Sequence, residues 1–117
     1  MHMAIVLIAE RDGDLRRLYA AVVRGMGHEA AFAVDLGQPG RADVLLVEPA
    51  QSECLEVAEW LRQQRPELPI VCASIHDATP DATFLAPSSY LLKPFSLLQL
   101  TEALGAAIDQ TALCISG

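Results

Sequence analysis

At 117 residues, 52% of them apolar, the chain is long enough to close one hydrophobic core and too short for two. Eight basic residues against fifteen acidic ones leave a net charge of -7, which offers no electrostatic footprint for a nucleic-acid backbone or an anionic membrane. No apolar run approaches the roughly 20 residues needed to span a bilayer, and the N-terminus has no signal-peptide pattern, so a cytoplasmic domain is expected.

The elements alternate along the chain. Ala4 to Ala9 (AIVLIA) is a continuous apolar run, as a strand buried on both faces of a parallel sheet requires. Asp14 is placed to cap a helix with Leu15, Leu18, Tyr19, Val22 and Val23 on one face, and Gly25 and Gly27 stop it. Strands are expected over Glu29 to Val34 and over Asp43 to Val47. A helix opening at Ser52, with Cys54, Val57, Ala58 and Leu61 at helical spacing, ends before Pro66. Ile70 to Ser74 is a fourth strand and Tyr90 to Leu92 a short fifth. Ser96 with Gln99 has capping-box form, and Leu97, Leu100, Leu104 and Ile108 form the apolar stripe of a closing helix. The domain is expected over residues 4–109, with 110–117 as a dispensable tail.

Strands alternating with helices imply an α/β fold, a doubly wound five-stranded parallel sheet with helices on both faces. In such sheets the functional crevice lies beyond the C-terminal ends of the strands, and Glu10, Arg11, Asp12, Glu48, Ser74 and Lys93 would all converge there. The cysteines, Cys54, Cys72 and Cys114, match neither a disulfide framework nor a zinc pattern. His28 and His76 have no ligand partner at coordinating spacing and read as surface or loop residues. Trp60 lies off the apolar stripe of its helix, as either an exposed anchor or a flank of the core. No cofactor or metal is expected.

VLIAERDGDLRRL, DVLLVE, IVCAS and YLLKPF together resemble the receiver domains of two-component response regulators over nearly the whole chain. The resemblance implies flavodoxin-like topology. It implies that Lys93, the only lysine of the chain, is the residue that pairs with a phosphoryl group and that Pro94 follows it through a cis bond. By the same resemblance Ser74 is the hydroxyl that contacts the phosphoryl group and Tyr90 the switch aromatic. The acidic positions depart from the pattern. Two adjacent acids after the first strand and an aspartate after the third are replaced by Glu10, Arg11 and Glu48. Glutamate is one methylene too long for the in-line geometry of a phosphoacceptor, and Arg11 puts a cation where magnesium needs an oxygen ligand. Glu48 is thus a degenerate phosphoacceptor position, and no phosphorylation is expected there. Arg11 is expected to stand in for magnesium and pair with Glu48, with Lys93 approaching from the other side. Three readings of the cluster stay open: a permanent mimic of phosphorylated aspartate, a structural polar cluster, or a residual metal site through Glu10, Asp12 and Glu48.

Two lengths also depart. Only eight residues, DLGQPGRA, lie between Val34 and Asp43, reaching roughly 26–28 Å when extended. The second helix is therefore expected to be missing. Pro80 and Pro87 bracket the fourth helix to a short piece, Asp81 to Ala86. The function expected is that of a degenerate, non-enzymatic receiver-like signalling domain. It would bind a protein partner or a second copy through the face of the fourth helix, the fifth strand and the closing helix, probed at Tyr90 and Gln99. The alternatives are a small-ligand or nucleotide-binding domain of flavodoxin-like topology, weakened by the lack of a Gly-rich loop at ERDGD, and an unusual phosphoacceptor.

Overall fold

The computed structural model describes residues 3–33, 41–78 and 80–116. Five strands, β1 (Ile5–Ala9), β2 (Glu29–Phe32), β3 (Val44–Val47), β4 (Ile70–Ser74) and β5 (Ser89–Leu92), pair in parallel in the order β2-β1-β3-β4-β5. Among the described residues four helices connect and close them: α1 (Gly13–Gly25), α2 (Ser52–Gln64), α3 (Pro80–Phe84) and α4 (Leu97–Ser116). This is the doubly wound, flavodoxin-like arrangement, and the strand order reverses between β1 and β3. The expected helix-free link falls mostly on residues 34–40, outside the described residues, as does the last residue of the expected Glu29 to Val34 strand.

Alternation along the strands divides the core in two. Val6, Ile8, Val44, Leu46, Val71 and Ala73 meet Tyr19, Ala20 and Val23 of α1 and Leu100, Leu104 and Ala107 of α4. Leu7, Ala9, Leu45, Val47, Ile70 and Cys72 meet Cys54, Ala58 and Leu61 of α2, with Leu85 just after α3. The central strands are buried on both faces, which is why their sequences carry no polar alternation.

The structure corrects several local expectations. Helix α1 begins two residues earlier than a cap at Asp14 would place it: Asp12 is the N-cap, and its side chain accepts from the Asp14 and Leu15 amides. Leu18 and Leu97 leave the expected apolar stripes and are exposed. Asp43 precedes β3 and accepts from the Ile5 amide at 2.8 Å. His28 is more than a loop residue, since its Nδ1 accepts from the Ala4 amide at 3.0 Å and ties the start of β1 to the turn before β2. Trp60 is exposed and belongs to neither core. The expected tail is helical through Ser116 in continuity with α4, and Thr111 is buried.

Helix α3 is short, as the two prolines require, but it starts on Pro80 and ends at Phe84 where Asp81 to Ala86 was expected. It is anchored from α2 by Arg62, whose Nε donates to the Leu85 carbonyl at 2.8 Å while Nη1 donates to the Arg65 and Pro66 carbonyls. One guanidinium thus satisfies two carbonyls just past the end of α2 and ties them to the residue that follows α3. The Ser96/Gln99 capping box forms in both directions, Gln99 Oε1 accepting from the Ser96 amide at 2.8 Å and Ser96 Oγ from the Gln99 amide at 3.0 Å.

Candidate functional site: a closed ion cluster at the switch point

The reversal of strand order leaves a crevice over the C-terminal ends of β1 and β3, and the residues that follow those strands fill it. Glu10 follows β1 and is 1% exposed; Glu48 follows β3 and is 3% exposed. Lys93, immediately after β5, reaches between them. Its Nζ donates to Glu10 Oε1 at 2.8 Å and to Glu48 Oε2 at 3.0 Å. Its backbone is held by a 2.7 Å hydrogen bond from the Lys93 amide to the Ser74 carbonyl, and the Lys93–Pro94 peptide bond is cis.

The remaining carboxylate oxygens are also taken. Glu10 Oε2 accepts from the Asp12 amide at 3.1 Å and from Gln51 Nε2 at 2.5 Å. Glu48 Oε1 accepts from the Ala50 amide at 2.9 Å. Two buried acids share one ammonium, and backbone and amide donors complete their solvation, which is the condition under which buried charge is tolerated. Burial works against the Lys93 charge, but its hydrogen bonds to both carboxylates outweigh it and hold its pKa above the ordinary lysine value.

Arg11 does not take the expected place. It is exposed, and among the described residues its guanidinium makes no ion pair; only its backbone amide enters the site, donating to Gln51 Oε1 at 2.8 Å. Among the described residues, the cation paired with Glu48 is Lys93. Two buried acids could not both pair with an outward-pointing arginine without opening the strand ends to water. Asp12 lines the same crevice and gives one carboxylate oxygen, Oδ1, to the cap of α1.

The residues do not fit magnesium, the ion that receiver-type chemistry requires. Among the described residues no three His, Cys, Asp or Glu side chains converge as a metal site. Each oxygen of Glu10 and Glu48 already accepts from a nitrogen donor, and two of those donors, the Lys93 ammonium and the Gln51 amide, occupy the space between the strands.

The two positions expected to sense a phosphoryl group are turned to each other's loop. Ser74 Oγ accepts from the His76 amide at 3.1 Å, and the Tyr90 hydroxyl donates to the His76 carbonyl at 2.7 Å. Tyr90 is half-buried and packs on the α2 side of the sheet. Gln99 is spent on its capping box.

Two neighbours of the cluster carried no sequence signal beyond their place in the chain. Gln51 was visible only as a polar residue just before α2. Tyr19 read as an ordinary stripe residue; its ring stacks on Phe95 at 6.4 Å, and its hydroxyl is buried beside the cluster with no hydrogen-bond partner among the described residues. Burial, ahead of the opposing pull of Lys93 and the push of Glu10, raises its pKa to about 12.

Comparison with solved structures places this architecture among receiver domains. A receiver domain from Methanospirillum hungatei JF-1, described as CheY-like, superposes with a TM-score of 0.81 at 14% identity, covering 95% of this chain and 98% of that one. The chemotaxis response regulator CheY4 of Vibrio cholerae gives 0.74 at 20% identity, covering 91% and 99%. NtrX from Brucella abortus, in complex with ADP, gives 0.76 at 21% identity; it covers 98% of this chain, which spans only 29% of NtrX. At these identities the likeness is one of fold. No protein-family model and no curated protein sequence matches the chain.

Proposed function

We propose that the chain is a non-catalytic signalling domain of receiver type, acting in the cytoplasm through protein–protein contact and not through phosphoryl transfer. The observation that carries this reading is the closed cluster: Lys93 is bound to both Glu10 and Glu48, and every carboxylate oxygen of the pair already has a donor. Phosphoryl transfer needs a metal to neutralise developing charge and an acceptor free to attack in line, and this arrangement supplies neither. A structural ion cluster is favoured over a mimic of phosphorylated aspartate, because the Ser74 hydroxyl is engaged by the His76 amide and has no hydrogen bond to Glu48 among the described residues. Incubation with acetyl phosphate and magnesium, read by intact mass, should yield no phosphoryl adduct. A stoichiometric adduct lost on Glu48→Gln would refute the proposal.

A domain that signals without chemistry needs a surface to present. Strand β5 is an edge strand, and α3, β5 and the start of α4 expose Phe84, Leu92, Leu97 and Leu98. We assign partner or self-association to this face, with Leu92 and Leu98 as its probes in place of Tyr90. Leu92→Glu and Leu98→Glu should each weaken self-association by about tenfold or more in sedimentation equilibrium. Association unchanged in both variants would remove this face.

A further inference from the structure

Gln51 holds the N-cap position of α2 with extended backbone geometry, yet its side chain does not cap that helix. The residues that cap such a position well are Ser, Thr, Asp and Asn, so a glutamine there is free to bond elsewhere. The side chain reaches instead across the switch point. Its Nε2 donates to Glu10 Oε2 at 2.5 Å, and its Oε1 accepts from the Arg11 amide at 2.8 Å and from the Cys54 thiol at 3.2 Å.

We infer that Gln51 is the positioning residue that keeps this pocket closed to divalent cations. The inference rests on the metal-independent reading above and names the device behind it. The two ends of one amide do two jobs. The donor end occupies Glu10 Oε2, which also holds the Asp12 hydrogen bond and is the one oxygen of the two acids that accepts twice; the other three accept one bond each. The acceptor end pins the Arg11 backbone, which fixes the course of residues 10–12 and leaves the Arg11 guanidinium outside the cluster. Of the donors that close the two acids, Lys93 carries the neutralising charge, and the Asp12 and Ala50 amides belong to the backbone. Gln51 is the one that a substitution can remove while leaving charge and backbone in place.

Removing it should therefore convert a pocket indifferent to cations into one that takes them. The test is a Mn²⁺ titration of the ¹⁵N-labelled full chain, read as paramagnetic broadening at the amides of Glu10, Asp12 and Glu48, with hydrogen exchange of the Arg11 amide measured on the same samples. Gln51→Met removes donor and acceptor without adding charge, and Gln51→Ala is a second neutral variant that adds no apolar bulk. Gln51→Glu keeps the acceptor and loses the donor. All three should gain saturable broadening with Mn²⁺ affinity at least about tenfold above the wild type, the scale expected when the hydrogen-bond shell of a metal site changes. Arg11 amide exchange should accelerate about tenfold or more in the Met and Ala variants and stay slow in the Glu variant. Binding gained only in Gln51→Glu would trace to its added carboxylate and overturn the role of Gln51, as would no gain in any variant. Saturable broadening in the wild type itself would instead overturn the metal-independent reading on which the inference stands.

Discussion

Replacing Lys93 by methionine should lower the stability of the fold by about 3–5 kcal/mol, the usual cost of removing one partner from a buried ion pair. The loss comes less from the contact than from what is left behind. Glu10 and Glu48 are 1% and 3% exposed, and without the ammonium they become two carboxylates in one desolvated crevice with only amide donors to balance them. The triple variant Lys93→Met, Glu10→Gln, Glu48→Gln should recover most of the loss, since neutral amides need no countercharge. Urea unfolding of the single and triple variants decides the point. A single variant within about 1 kcal/mol of the wild type would mean that the cluster is hydrated and contributes as little as a surface pair.

Alkaline pH should unfold the domain well before it strips charge from the surface arginines. Four groups bind their protons more tightly in the fold than in the unfolded chain. Burial raises Cys72 from 9.0 to about 12 and Cys54 from 9.0 to about 11. Tyr19 rises from 10.0 to about 12, chiefly through burial, and Lys93 is held above 10.5 against its own desolvation by its bonds to Glu10 and Glu48. Because each folded pKa lies above the unfolded one, the stability linked to these protons is fully present below about pH 9. It is lost progressively as pH rises from there through the folded values. For Tyr19 alone the difference corresponds to roughly 2–3 kcal/mol. Urea midpoints should therefore fall steeply above about pH 9, while none of these four groups contributes a slope at neutral pH. Tyr19→Phe should flatten part of the alkaline fall, and a profile unchanged by that substitution would show that the phenol is not held in its protonated form.

Much of this protein was legible before any coordinates. AIVLIA, DVLLV and IVCAS could be placed as central strands because a strand covered on both faces must be apolar at every position. Placing Glu10, Glu48 and Lys93 together followed from topology, since parallel strands deliver the residues after their C-terminal ends to one edge of the sheet. The two prolines around α3 set its length, and Ser96 with Gln99 announced the start of α4, because both signals act within a few residues of chain.

The chain alone thus carries which segments pair, which helices cover them, and which acids and which lysine meet at the switch point. How those charges are satisfied is settled in three dimensions. That choice depends on side-chain torsions and on donors distant in the chain, such as Gln51, 41 positions from Glu10, and Lys93, 83 positions from it. Arg11 is the clearest case. Its place in the sequence put a cation beside Glu48, but a buried carboxylate pairs with whichever donor completes its shell at the least desolvation. Lys93, just after the end of β5, does so for both acids, while the Arg11 guanidinium stays in water.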